Sequence, residues 1–116
     1  MLLDGRPVNS CMVLALQAEG REVITIEGLG EPGRLDPIQK AMVESGGIQC
    51  GFCTPGFLMS TLELLRDNPN PSEEDIKDAL GGNLCRCTGY EAIMKSVRLA
   101  AKRVQDGQDL GLTHTD

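Results

Sequence analysis

The chain has 116 residues, a formal net charge of −6 and a composition that is 41% apolar but only 3% aromatic, with no tryptophan. That length suits one domain with at most part of a second, and the acidic balance argues against a phosphate-binding surface, so nucleic acid is not an expected partner. No run reaches the roughly 18 apolar residues of a membrane span and no basic-then-apolar leader opens the chain, so the expected location is cytoplasmic.

Residues 1–34 read as strands and turns. Asp4-Gly5 in "LLDGRPV" is a hairpin signal. "CMVLALQ" is apolar, and periodicity alone leaves it open between strand and short helix. "EVITIEGL" is rich in β-branched residues, with Val23, Thr25 and Glu27 expected on one face and Ile24 and Ile26 on the other. The Gly- and Pro-rich "GLGEPGR" then reads as a linker.

From Asp36 the period turns helical. Asp36-Pro37 is an N-cap followed by proline at the first helical position. Ile38, Ala41 and Met42 share a face, and Gly46-Gly47 closes this helix. Thr54-Pro55 repeats the cap-then-proline signal, ahead of Leu58, Leu62 and Leu65 at helical spacing. Ser72 with Asp75 resembles a capping box before Ile76 and Leu80, and Thr88 with Glu91 reads as a full one. Ile93, Val97, Ala100, Ala101 and Val104 form the stripe of a last helix. Residues 106–116 read as a polar, mobile tail, in which His114 is expected to be solvated rather than a ligand. The expected architecture is α+β: a partial β domain over 1–30, a four-helix domain over 31–105, and the tail.

Five cysteines lie in this chain: Cys11, Cys50, Cys53, Cys85 and Cys87. The odd count, with no export signal, argues against a disulfide framework. Cys11 alone reads as a small buried hydrophobe. The other four form two corners, "QCGFCTPG" and "NLCRCTGY", a C-x-x-C and a C-x-C. Two antiparallel helices fit between them and return the second corner to the first. Four thiolates suit either a 2Fe–2S cluster or structural zinc. Zinc knuckles typically space their ligands by two to four residues, from which the C-x-C pair departs. A thiol redox switch and plain buried cysteines remain further readings. A zinc-stapled, non-catalytic interaction domain is therefore the main rival to an iron–sulfur protein.

An oxidised 2Fe–2S cluster with four thiolates carries a formal charge of about −2, and reduction adds one more negative charge. Helices starting just after Cys53 and Cys87 would direct their positive ends at this anion. Thr54 and Thr88 are expected to cap those helices, and Gly51, Gly56 and Gly89 to permit close backbone approach.

"QCGFCTPGF", "GNLCRCTGY" and the preceding "TIEGL" closely resemble the small iron–sulfur subunit of the xanthine dehydrogenase family. That family includes the small subunit of aerobic-type carbon monoxide dehydrogenase and related molybdenum hydroxylases. The likeness runs from residue 1 to about residue 104. It implies that Cys50, Cys53, Cys85 and Cys87 hold the 2Fe–2S cluster nearer the molybdenum cofactor. It also implies that Gln49 and Cys87 lie against a molybdopterin held by a partner chain. The implied function is electron transfer within an oxidoreductase complex: electrons pass from a molybdenum-binding large subunit towards an FAD-binding medium subunit, and no substrate chemistry occurs on this chain.

The family's second cluster sits in a plant-ferredoxin-like β domain, and Cys11 in "VNSCMVLALQ" resembles its fourth ligand. The first three ligands have no counterpart after Met1. Residues 1–30 are thus expected to be a remnant of that domain, Cys11 an orphan ligand, and the chain N-terminally truncated.

Overall fold

The computed structural model describes residues 1–111, so His114 lies outside the described residues. Three two-residue strands form a small antiparallel sheet in the order β2-β1-β3: β1 is Leu2–Leu3, β2 is Arg6–Pro7 and β3 is Val23–Ile24. Leu2 pairs with Pro7 and Leu3 with Arg6, and on the other edge with Ile24 and Val23. Asp4 and Gly5 turn this hairpin with φ of 48° and 80°, as the two-residue turn requires. The Asp4 carboxylate accepts from Arg21 Nε at 2.6 Å and from the Glu22 N–H at 2.9 Å, which fixes the turn to the approach of β3.

The strand expected over "EVITIEGL" is shorter than its composition suggests. It ends at Ile24, and Ile26–Gly28 form a 3-10 turn. "CMVLALQ" is neither strand nor α-helix; 3-10 turns over Ser10–Met12 and Ala15–Ala18 carry it. Met12, Leu14 and Leu16 are all largely exposed. β-propensity is realised only where a partner strand is present to pack against.

Four helices follow: α1 Pro37–Glu44, α2 Thr54–Asp67, α3 Glu73–Leu80 and α4 Glu91–Gln105. Asp36 caps α1, accepting from Ile38 N at 2.8 Å, with Gln39 reaching back to the Asp36 N–H at 2.9 Å. Ser72 and Asp75 cap α3 reciprocally, at 3.1 and 2.8 Å. α1 packs chiefly on α4, and α2 on α3. Every stripe residue anticipated in α1, α2 and α3 is buried. In α4, Ile93, Val97, Ala100 and Ala101 are buried and Val104 packs partly against them. Phe57, fully buried, joins this core, as does Leu2 from the sheet, so strands and helices share one apolar interior.

The last described residues return to the bundle. Leu110 is buried, and the Gly111 N–H donates to Asp36 Oδ2 at 2.5 Å. The stretch after α4 is thus anchored up to residue 111, against the expectation of a mobile tail. A single leucine in a polar sequence finds the gap beside the start of α1, which no local pattern announces.

Candidate metal centre

The first cysteine corner lies between α1 and α2. Gly51 takes φ of 83°, a left-handed conformation that glycine adopts without steric cost. α2 begins directly after Cys53, with Thr54 and Pro55 as its first residues. The positive end of a 14-residue helix therefore sits at this corner. Thr54 is inside the helix rather than its cap. Its hydroxyl is buried and has no hydrogen-bond partner among the described residues.

The second corner lies between α3 and α4. Here the expected Thr88–Glu91 capping box does not form. α4 starts only at Glu91, and Tyr90 occupies the cap position with φ of 72° and no side-chain cap. The Thr88 hydroxyl turns instead to Cys85 Sγ, 3.2 Å away, while the Thr88 N–H points at the same sulfur from 3.4 Å. Tyr90 N–H donates to Thr88 Oγ1 at 3.1 Å. A sulfur three residues back competes successfully with the backbone for the threonine, so this corner is closed by its own side chains and not by a helix start.

The corners meet in two cross-pairs. The thiols of Cys53 and Cys85 are near enough to shift one another's titration, and so are those of Cys50 and Cys87. Burial, followed by the influence of the neighbouring Cys85 thiol, pushes the Cys53 thiol up. The Thr88 hydroxyl and N–H bring Cys85 down to about 7, so this sulfur is the one prepared to carry negative charge. The neighbouring Cys50 thiol pushes Cys87 up. Cys53 and Cys85 are half-buried, whereas Cys50 and Cys87 are exposed.

The pairing of the sulfurs suits one metal group in particular. Two thiol pairs, each drawn from both corners, match a 2Fe–2S cluster, in which each iron takes two thiolates.

Several apolar side chains are exposed around the corners, among polar ones such as Arg86. Phe52 is 94% exposed and Leu84 84%, with Ile48 and Tyr90 partly exposed nearby in sequence. Gln49 is also exposed, one residue before Cys50. Composition gave no sign that these apolar side chains stay outside; both lie in the corners, beyond the ends of the helices that bury their own apolar stripes. Cys11, expected as a small buried hydrophobe when read alone, is exposed in the Ser10–Met12 turn. It lines a cleft of about 740 Å³ together with Pro7, Thr25, Pro55 and Asn83. No helix among the described residues is long and apolar enough to cross a membrane.

Comparison with known proteins agrees with this geometry. Residues 25–98, more than half of the chain, match the family described as the 2Fe-2S binding domain. The chain is 52% identical over 97 residues to the nicotine 6-hydroxylase small subunit of Paenarthrobacter nicotinovorans, covering 84% of this chain and 58% of that one. It is 46% identical over 108 residues to a probable xanthine dehydrogenase subunit of Bacillus subtilis, covering 93% of this chain and 62% of that one. Among solved structures it is similar to quinoline 2-oxidoreductase from Pseudomonas putida 86, with a TM-score of 0.85 and 40% identity over 93% of this chain and 68% of that one. The chain thus spans about three-fifths of the length of these two curated relatives. With two cysteine corners cross-paired by the fold and this likeness along most of its length, the chain belongs to the 2Fe-2S binding domain family found in small subunits of molybdenum hydroxylases.

Proposed function

We propose that the chain is the electron-transfer component of a molybdenum-containing hydroxylase or dehydrogenase, with Cys50, Cys53, Cys85 and Cys87 as the ligands of its 2Fe–2S cluster. The observation that carries this reading is that all four cysteines lie within the stretch matching the 2Fe-2S binding domain, where the fold sets Cys53 beside Cys85 and Cys50 beside Cys87. When bound, the cluster supplies one-electron transfer without bond making in the substrate. The chain's own residues supply its surroundings. The start of α2 and the donors on Cys85 favour negative charge at the inner pair. The outer pair, Cys50 and Cys87, is exposed and so open to a neighbour.

That neighbour is a molybdenum-binding large subunit, with an FAD-binding medium subunit receiving the electrons. Gln49 and Cys87 reach the pterin held by the large subunit. Exposed Phe52 and Leu84 beside the cysteines are the anchors of this contact. Residues 1–30 act as the β portion, 31–105 as the cluster-binding portion and 106–116 as a terminal segment. Cys11 is a ligand position of a second cluster that needs further cysteines. The complex is cytoplasmic.

The test is anaerobic purification of the full chain with iron, sulfide and zinc analysis, visible absorption and electron paramagnetic resonance after dithionite. The expected result is about two irons and two sulfides per chain, a reddish-brown colour and a spin signal on reduction. Single Cys→Ser changes at 50, 53, 85 or 87 should abolish this, and Cys11→Ser should not. A colourless, spin-silent protein containing stoichiometric zinc would overturn the proposal.

A further inference from the structure

The four sulfurs differ in what surrounds them, and the difference is concentrated on Cys85. Its Sγ contacts the Thr88 hydroxyl at 3.2 Å and the Thr88 N–H at 3.4 Å. The hydroxyl oxygen is already engaged as acceptor of the Tyr90 N–H at 3.1 Å. In a free thiol, either sulfur or oxygen can donate across the 3.2 Å contact. A metal-bound cysteine is a thiolate and has no proton to give, so in the loaded protein Thr88 is the donor.

The backbone that holds Thr88 there is unusual. Gly89 and Tyr90 both adopt left-handed conformations, with φ of 63° and 72°. For a bulky residue such as tyrosine this conformation is unfavourable, and it persists only where its surroundings fix it. Two contacts do so. The Tyr90 phenol accepts the Cys85 N–H at 3.0 Å, and its ring meets the edge of buried Phe57 at a centroid distance of 6.2 Å. The loop is closed on itself, Cys85 to Tyr90 to Thr88 and back to Cys85. The threonine at the equivalent place in the first corner, Thr54, makes no such bond among the described residues.

We propose that Thr88 is a potential-setting residue: its hydroxyl, oriented by the Tyr90 N–H, donates to the Cys85 sulfur and favours the reduced form of the centre. The inference rests on the iron–sulfur reading above. Taking up one electron from a reductant such as dithionite adds one negative charge and transfers no proton. A donor on a ligating sulfur strengthens as that charge grows, so its removal makes reduction harder.

The experiment is a potentiometric titration of the full chain, followed by spin resonance, for wild type, Thr88→Val, Thr88→Ala and Thr88→Ser. Loss of one charge-assisted bond should lower the reduction equilibrium constant about tenfold in the Val and Ala variants, or about 59 mV for a one-electron couple. Thr88→Ser, which keeps the donor, should return most of the way to wild type. An unchanged midpoint in Val or Ala overturns the inference, and so does a Ser variant as low as Val. Assembly of the centre in Ser but in neither Val nor Ala also overturns it, because the hydroxyl is then a structural link. A wild-type chain with no spin signal at all removes the iron–sulfur reading itself, whereas a normal wild-type signal with an unmoved midpoint removes only the role of Thr88.

Discussion

The phenol of Tyr90 accepts the backbone N–H of Cys85 at 3.0 Å while the Tyr90 ring packs edge-on against Phe57, which is wholly buried in the core of α2. One side chain thereby ties the second cysteine corner to the helix that starts at the first. The distance between the corners is set by this bridge as well as by the turns themselves.

Tyr90→Phe keeps the ring contact and deletes the acceptor. Because the bond is solvent-accessible, the expected cost is about 1 kcal/mol in chemical denaturation. The bound centre should also decay faster in air, followed by its visible absorbance. An unaltered decay rate would mean that Cys85 is placed without help from the phenol.

Asp36 gives a pH signature. Its carboxylate is buried, and burial pushes its pKa up against the opposing bonds from Gly111 and Ile38 and the attraction of Lys40 and Arg66. A carboxylate whose folded pKa exceeds its unfolded value binds its proton more tightly when folded. Its contribution is therefore complete below the unfolded pKa and is lost as pH rises through the folded pKa. Denaturation midpoints of wild type and Asp36→Asn, measured across the acid range, should differ by a curve with that sign. The exposed carboxylates Asp4, Glu27 and Asp75, whose pKa values their hydrogen bonds lower, slope the opposite way in both proteins and cancel in the difference. Asp36→Ala, which removes the cap, should cost about 1–2 kcal/mol.

Gly47 sits where α1 ends against α4. A Cβ there would collide with Met42 Sδ and lie 2.7 Å from Ser96 Oγ. Ser96 is itself buried and bonded to the Ala92 carbonyl at 2.8 Å, so it has little room to move. Gly47→Ala should destabilise by about 1–3 kcal/mol through overpacking, read as a lowered thermal midpoint. Gly46→Ala provides a contrast in mechanism: its Cβ meets nothing within 4 Å, and its cost comes only from a φ of 69°.

Phe52 is 94% exposed beside two cysteines. Phe52→Ser should change the chain's stability by less than about 0.5 kcal/mol, as expected for a surface site, and should leave the centre assembled. Co-expressed with the large subunit, the variant should lose that partner on size-exclusion chromatography. Full retention would place the contact elsewhere.

Much of the helical part was written locally. Asp36-Pro37, Ser72 with Asp75 and the apolar stripes of all four helices specify elements by capping and period, which need only neighbours in sequence. The Asp4-Gly5 turn belongs with them. Thr54 and Thr88 mark the boundary of that logic. Each follows a cysteine and looks like a cap, yet one lies inside its helix with an unpartnered hydroxyl and the other binds a sulfur. A threonine chooses between backbone and side-chain acceptors by which is nearer, and here that is a property of the folded corner.

Spacing and residue type are local facts, and they were enough to specify the two cysteine corners, the helices between them and the chemistry four thiols can support. They did not specify that Cys53 meets Cys85 and Cys50 meets Cys87, that Phe52 and Leu84 remain outside, or that Leu110 returns to the core. Those outcomes arise in the folded chain, from how α1 seats on α4 and α2 on α3, because distances between segments far apart in sequence are settled by packing.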